Sequence, residues 1–362
     1  MAIGLDRSRH IDKFQSKKAV LDSFFTPRYR EEKTPISIQG DQATGELHQW
    51  HRRGVDYGMV SRSGGEERGQ FAGHETFPLR LLWLKKAHDA VGEGVETGFF
   101  QRPEAIVHFG VGRNMAVSMR FWALASGMAT EQARRIEQTP LGRLLLDNDG
   151  LDPYLESPAT IWLVHWYLAS KLQMTTTIHY AFNHINSTEF TAESLAKELA
   201  SFAVQRGWKV SEVTLKRDVE VFLRGYVRRS EMNVEDAAEP LLAELGLIRS
   251  MSPGPWFEFI RGPKPTLPDE VFLFALIEFW SDLGSDLSTL TAEQISYAPG
   301  SPGRAFKLDE NSVVSRLMNL DELTNGALIW TDTAGLRQVQ RRREMDALAL
   351  LPLAYARGRS RA

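Results

Sequence analysis

The chain contains no cysteine among its 362 residues. Disulfide bonds, thiolate metal sites and cysteine nucleophiles are therefore excluded. It also lacks any run approaching the roughly 18–20 apolar residues that a membrane-spanning helix needs. The first residues, MAIGLDRSRHIDKF, carry charges where a signal peptide has its apolar core. These absences predict a cytoplasmic protein that does not enter a membrane.

The chain also has no strong excess of positively or negatively charged residues. Lys and Arg number 43 against 46 Asp and Glu, which gives a formal net charge of -3. Proteins that bind nucleic acid usually carry a clear basic excess. Any such function in this chain must therefore depend on local clusters of Lys and Arg.

Motifs for catalysis and for metal or nucleotide binding are missing as well. The sequence has no GxxxxGK[ST] phosphate loop, no GxSxG nucleophile elbow and no HExxH pair. His74 and Glu75 are adjacent but lack the second histidine of a zinc motif. We therefore predict no catalytic residue, no metal and no cofactor. A metal-dependent nuclease that uses His74 and Glu75 is the weakest of the functions considered.

Residues 71–157 carry the first of three helical patterns. A helix is predicted to begin at Pro78, because proline is favoured in the first turn and apolar residues follow at spacings of three and four. Residues 102–128 then have the pattern of a helix, a glycine turn and a second helix that begins near Arg113. This is the helix-turn-helix pattern, and we expect a winged-helix unit here.

Residues 158–235 combine an apolar connector with the second helix-turn-helix pattern. Ser211 is placed to cap a helix over residues 212–229. Five apolar residues of that helix recur at helical spacing and predict a buried stripe: Leu215, Val219, Phe222, Leu223 and Tyr226. Its basic residues lie away from the stripe, so this helix is the best candidate for a recognition helix.

The remaining segments complete the predicted organisation. We expect a poorly packed arm at residues 1–70, a third winged-helix-like unit at 236–341 that starts with a helix near 239–250, and a basic tail at 342–362. The predicted fold class is mainly α, with tandem winged-helix (helix-turn-helix) units and short β-hairpin wings.

The second helix of a helix-turn-helix lies in the major groove, and its amino-terminal side chains contact base edges. Arginine suits guanine and asparagine suits adenine, because each can make two hydrogen bonds to that base. Amphipathic helices also carry Lys and Arg merely for solubility or for protein contacts, and that alternative stays open. The predicted DNA-binding residues are Arg113, Asn114 and Arg120 in the first unit and Ser211, Thr214, Lys216, Arg217, Arg224 and Arg228 in the second.

Four blocks of the chain resemble the domain of unknown function 4007 family: FAGHETFPLRLLWLKK, AIVHFGVGRNMAVSMRFWALASGM, GLDPYLESPATIWLVHWYLAS and VSEVTLKRDVEVFLRGYV. The resemblance runs from about residue 70 to about 341. It implies a context rather than a mechanism, because the family has no established enzymatic activity. Such bacterial proteins tend to be encoded beside phosphoadenosine-phosphosulfate-reductase-like sulfur-transfer proteins, in DNA phosphorothioation and phage-defence loci.

The resemblance therefore implies a non-catalytic accessory protein that binds duplex DNA and presents it to a modifying partner of that sulfur-transfer type. Without cysteine, the chain cannot itself carry sulfur as a persulfide. A protein scaffold in the same complex that never contacts DNA is the alternative. The sequence leaves the oligomeric state open.

Overall fold

The structure is a computed structural model that describes residues 68–132, 135–228, 240–251, 253–284 and 286–359. Nearly all of the predicted amino-terminal arm lies outside the described residues. Within them the fold is mainly α-helical with small antiparallel sheets, which confirms the predicted class at that level. No helix of the described residues is long and apolar enough to cross a membrane.

The first group of elements, residues 83–146, combines helices with one β-hairpin. In chain order it contains α1 (Trp83–Gly92), a 3-10 helix (Thr97–Gln101), α2 (Pro103–Phe109), α3 (Arg113–Ala125), β1 (Ala129–Gln132), β2 (Arg135–Gln138) and α4 (Pro140–Leu146). β1 and β2 pair antiparallel, and Glu96 forms an isolated bridge to Arg135. Gly110 ends α2 with a φ of 66°, a left-handed conformation that glycine adopts easily. α3 therefore follows α2 after a tight turn, as predicted.

The helix predicted to begin at Pro78 begins instead at Trp83, so that prediction was wrong by about one turn. Leu82 has a φ of 65°, which is left-handed and cannot continue a right-handed helix. The preceding backbone is held by tertiary bonds instead of helical ones. The indole N–H of Trp122, for example, donates to the carbonyl of Phe77 at 3.1 Å.

The second group, residues 158–259, carries a three-stranded antiparallel sheet. It contains α5 (Pro158–Ser170), α6 (Thr176–Asn183), β3 (Glu189–Thr191), α7 (Ala192–Gln205), α8 (Glu212–Tyr226), a 3-10 helix (Leu241–Leu245), β4 (Ile248–Met251) and β5 (Trp256–Phe259). The strand order is β3–β5–β4. β4 and β5 thus join β3, although the predicted unit boundary at residue 235 precedes them.

The helix predicted near residues 239–250 was wrong. Only Leu241–Leu245 is helical, as a single 3-10 turn, and Gly246 ends it with a φ of 59°. Ile248 then pairs with Phe259 in the sheet. Pairing with a strand that comes later in the chain outweighed the local helix propensity of this segment.

The third group, residues 269–341, repeats the same order of elements. It contains α9 (Asp269–Leu283), β6 (Thr289–Thr291), α10 (Ala292–Tyr297), α11 (Pro302–Ala305), α12 (Glu310–Leu317), α13 (Leu320–Leu323), β7 (Leu328–Thr333) and β8 (Leu336–Arg341), and it is followed by α14 (Leu351–Arg359). The strand order is β6–β8–β7. In both the second and third groups, a first strand precedes helices and pairs with the last strand of the hairpin that follows them.

His165 lies at the centre of the core and joins three helices. Its Nε2 donates to the carbonyl of Ala305 at 2.8 Å, because a carbonyl only accepts. Its Nδ1 then accepts from the hydroxyl of Tyr226, also at 2.8 Å. Burial lowers the pKa of His165 to about 3, with the cations of Lys307 and Lys264 acting in the same direction. The ring is therefore neutral in the folded protein.

Stability is predicted to fall as the pH drops below about 6.5. Burial lowers the pKa values of His165 and His179 to about 3, whereas unfolded histidine titrates near 6.5. Between these values the unfolded chain binds protons that the native state does not. Each histidine should therefore lower the free energy of unfolding by about 1.4 kcal/mol per pH unit. Urea denaturation at pH 6 and pH 5 measures the difference.

His179→Gln should remove roughly half of this pH dependence, because one of the two buried rings is gone. His108→Gln, at an exposed position of α2, is the matched control and should leave the dependence unchanged. A free energy of unfolding that is constant between pH 6 and pH 5 would contradict the neutral state of the two rings.

Candidate nucleic-acid interface

The amino end of α3 presents two of the predicted residues to solvent. Gly112 caps the helix, and Arg113 and Asn114 follow in its first turn with exposed side chains. The opposite face of α3 is buried through Ala116, Met119 and Trp122. Neither Arg113 nor Asn114 makes an ion pair or a side-chain hydrogen bond with another described residue. Both side chains are therefore available to a ligand.

Arg120, the third predicted residue of this helix, is differently placed. It is half-buried, and its guanidinium forms an ion pair with Glu131 on β1. Its Nε atom is buried without a hydrogen-bond partner among the described residues. The side chain connects α3 to the hairpin, so a contact with DNA would have to compete with the carboxylate of Glu131.

One face of α8 carries three of the six residues predicted in the second group. At 100° per residue its exposed positions fall on one stripe, opposite the predicted apolar stripe, which is buried as expected. Lys216 and Arg217 are exposed on this outward stripe and make no ion pair or side-chain hydrogen bond with other described residues. The full stripe is Val213, Lys216, Arg217, Glu220 and Arg224.

Ser211 and Thr214 both take part in the cap of α8. The hydroxyl of Ser211 accepts the backbone N–H of Thr214 at 3.1 Å, which is the predicted cap. The two hydroxyls also bond to each other at 2.8 Å. Their polar groups are therefore already satisfied within the first turn of the helix.

The two remaining arginines lie nearer the carboxyl end of α8. Arg224 donates to the backbone carbonyl of Thr76, so it fastens the loop that precedes α1. Arg228 is exposed and lies two residues beyond the end of α8 at Tyr226. Of the nine predicted residues, those with uncommitted cationic side chains are thus Arg113, Lys216 and Arg217.

Sequence reasoning missed Asp218, the residue of α8 that connects this helix to α3 through the loop before α1. Its side chain is only 5% exposed. Oδ1 accepts the backbone N–H of Ala72 at 2.6 Å and lies 3.1 Å from Nε2 of His74, while Oδ2 accepts the hydroxyl of Thr177 at 3.0 Å. No sequence signal pointed to this pairing, because Ala72 and Asp218 are 146 residues apart.

His74 is the counterpart of Asp218 in the loop before α1. Its Nδ1 accepts the N–H of Thr76 at 3.2 Å, so Nε2 carries the proton and donates to Asp218. Its carbonyl accepts the hydroxyl of Ser118 at 3.0 Å, and its ring stacks on Trp122 with a centroid distance of 6.1 Å. The histidine therefore joins α3 to α8.

The surroundings of His74 leave little space for a ligand. The cavity beside its ring measures about 20 Å³. Among the described residues, no group of three or more His, Asp and Glu side chains could hold a metal ion. The contacts of His74 thus support a structural role for this histidine.

A groove of about 1010 Å³ lies beside β2 in the first group. Three arginines line it, together with a glycine-rich segment at residues 92–98. Arg102 pairs with Glu96 at 2.6 Å, and Arg143 donates to the carbonyl of Gln138 at 2.7 Å. The third arginine, Arg135, is exposed on the hairpin. This adds a cationic side chain next to the hairpin that the sequence analysis did not single out.

α12, the last long helix before the hairpin of the third group, has a different surface. Its single basic residue, Arg316, is mostly buried, pairs with Asp269 and donates to the carbonyls of Lys264 and Leu267. The exposed residues around this helix include Asp309, Asp321 and Glu322. α12 therefore lacks the outward cations that α3 and α8 present.

Asp218→Asn should destabilise the protein by about 3 kcal/mol, because a buried carboxylate with three donors is replaced by an amide that cannot satisfy them all. Glu220→Gln, two positions along the same helix and exposed, is the control and should change stability by less than about 0.5 kcal/mol. Thermal and urea unfolding measure both. Equal stability of the two variants would disprove the structural role of Asp218.

Comparisons of this chain with solved structures, with curated proteins and with family models give the following results. Two solved structures match this chain. One, described as a magnesium ion-bound SspB crystal structure, has 25% identity and a TM-score of 0.69, and the match covers 82% of this chain and 98% of that chain. The other, described as an SspB crystal structure, has 26% identity and a TM-score of 0.70, and the match covers 81% of this chain and 88% of that chain. The comparison with curated proteins gives no match. A family model described as protein of unknown function DUF4007 matches residues 71–355. The chain therefore belongs to the DUF4007 family.

Proposed function

We propose that this protein binds duplex DNA through winged-helix units, as an accessory protein of a bacterial DNA-modification system of the phosphorothioation type or of a phage-defence system. The observation that carries the proposal is the pair of outward surfaces on α3 and α8. Each presents uncommitted cationic side chains in the amino-terminal half of a helix, one on α3 and two on α8, opposite a buried face. DNA-binding helices of the helix-turn-helix class present such a surface to the major groove.

The order of elements supports the assignment of winged-helix units. In the second and third groups, a strand, helices and a hairpin follow one another, and the first strand pairs with the last. In the first group, the isolated bridge between Glu96 and Arg135 takes the place of that first strand. Each group would then carry one recognition helix, namely α3, α8 and α12, and one hairpin as its wing.

The chemistry of the outward side chains fits DNA. Arg113 can donate two hydrogen bonds to guanine, and Asn114 can pair with adenine. Lys216 and Arg217 can neutralise phosphates or contact bases. None of these four has to break an ion pair with a described residue before it binds. Arg135, on the hairpin beside the groove of the first group, can add a phosphate contact.

We assign the third group to protein contact instead of DNA contact. The exposed carboxylates Asp309, Asp321 and Glu322 near α12 would repel phosphates. Met318 is exposed beside them and offers an apolar anchor. The proposed partner is a phosphoadenosine-phosphosulfate-reductase-like sulfur-transfer enzyme or another subunit of the defence complex. A scaffold without any DNA contact is the second candidate, which the net charge of -3 favours.

The similarity to structures described as SspB supports the proposed context without adding a residue to the site. One of those structures is described as magnesium ion-bound. Among the described residues no group of three or more acidic or histidine side chains could hold a metal ion, so the proposal names no metal ligand. Binding should nevertheless be measured both with and without magnesium.

Lys216→Ala/Arg217→Ala should weaken duplex binding and make it less sensitive to salt. If both side chains neutralise phosphates, the slope of log K against log salt should fall in magnitude by about 1.8, which is about 0.9 for each phosphate that is no longer neutralised. Fluorescence anisotropy of a labelled duplex over a salt series measures the affinity and the slope for the full chain and for the variant.

Arg342→Ala/Arg343→Ala is the matched control, because it removes the same charge from an exposed basic pair that follows β8 in the third group. Its salt slope should equal that of the parent protein. Failure of the parent protein to bind any duplex at low salt would refute DNA binding and leave the scaffold. Cleavage of the duplex that requires added magnesium would show instead a metal-dependent nuclease.

A further inference from the structure

Val213 is an exposed apolar residue in the first turn of α8. Its side chain is 59% exposed, whereas the other apolar side chains of this helix are buried. A single exposed valine is common on protein surfaces and by itself indicates nothing. Its position is what gives it meaning, because it lies on the outward stripe of α8 with Lys216 and Arg217 one turn further along.

The polar groups near Val213 are already satisfied. The hydroxyls of Ser211 and Thr214 bond to each other, and Ser211 also caps the helix. These hydroxyls would have to give up that bond before they could contact a base edge. On its outward stripe the first turn of α8 therefore presents an apolar side chain and no unsatisfied hydroxyl, while the exposed carboxylate of Glu212 lies about 100° away around the helix.

The charges along the same stripe set the direction of approach. Lys216 and Arg217 lie close to Val213, whereas Glu220 lies one turn beyond them. A phosphate backbone is attracted by the two cations and repelled by the carboxylate. Arg224, further on, is engaged by the carbonyl of Thr76. The amino end of α8, with Val213, would thus enter the groove first.

Thymine is the one base that presents a methyl group in the major groove, and apolar side chains pack against it. We propose that Val213 contacts the 5-methyl group of thymine and gives the second group a preference for duplexes that contain thymine. This inference rests on the proposed DNA binding and adds the base that α8 selects. Lys216 and Arg217 hold the duplex, and Val213 distinguishes its bases.

The test compares an A·T-rich duplex with the same duplex in which uracil replaces every thymine, so that only methyl groups differ. The full chain should bind the thymine duplex about fourfold more tightly for each methyl group that becomes buried. Val213→Ala should bring the ratio of the two dissociation constants close to one, mainly by weakening the thymine duplex. Fluorescence anisotropy at one low salt concentration measures all four constants.

Val204→Ala is the matched control, because Val204 is a valine on α7 that is 77% exposed and lies outside the outward stripe of α8. It should keep the preference of the parent protein. Equal binding of both duplexes by the parent protein would overturn the role of Val213 while DNA binding stands. A preference that persists in Val213→Ala would also overturn it. Absence of binding to either duplex would instead refute the proposed DNA binding itself.

Discussion

The buried carboxylate of Asp218 is the interaction on which the arrangement of the two outward helices depends. A buried carboxylate is unfavourable unless donors surround it. Its three donors come from two separate segments: the N–H of Ala72 and the ring of His74 in the loop before α1, and the hydroxyl of Thr177 on α6. They meet only when the loop before α1, α6 and α8 are all in place. Because that loop also bonds to α3 through Ser118, the position of α3 relative to α8 is set by this cluster.

A second buried polar cluster connects the second group to the third. His165 on α5 bonds to Tyr226 of α8 and to the carbonyl of Ala305 on α11. Burial raises the pKa of Tyr226, which keeps its hydroxyl protonated as the donor to His165. Nearby, Nζ of the buried Lys307 donates to the carbonyl of Phe182 at 2.7 Å, at the carboxyl end of α6. Burial, together with the charges of Arg261 and Arg304, lowers the pKa of Lys307 well below its usual value, and the hydrogen bond to this carbonyl satisfies its buried amine.

The sequence predicted features that depend on neighbouring residues. The stripe of α8, the cap at Ser211 and the glycine turn before Arg113 were all found as expected, because each follows from helical spacing or from local backbone preference. The predictions failed where contacts with distant segments of the chain determine the local structure. The carbonyls of Thr76 and Phe77, just before Pro78, are held by side chains of α8 and α3, and Ile248 joins a strand from further along the chain. Asp218 was missed because a charged residue inside an amphipathic helix looks solvent-exposed until its distant donors are known.

The structure leaves fewer basic residues available for binding than the sequence suggests. Arg120 pairs with Glu131, Arg224 holds the loop at Thr76, and Arg316 lies mostly buried against Asp269. Arginine suits such roles, because its planar group can satisfy several acceptors at once. Counting basic residues in the sequence therefore overestimates the charge that could face DNA. With so few uncommitted cations and a net charge of -3, the proposed DNA binding by this chain alone would be moderate and would weaken as the salt concentration rises. Under the proposed function, a partner that contacts the same duplex would raise the affinity, because two linked binding surfaces act at a high effective concentration.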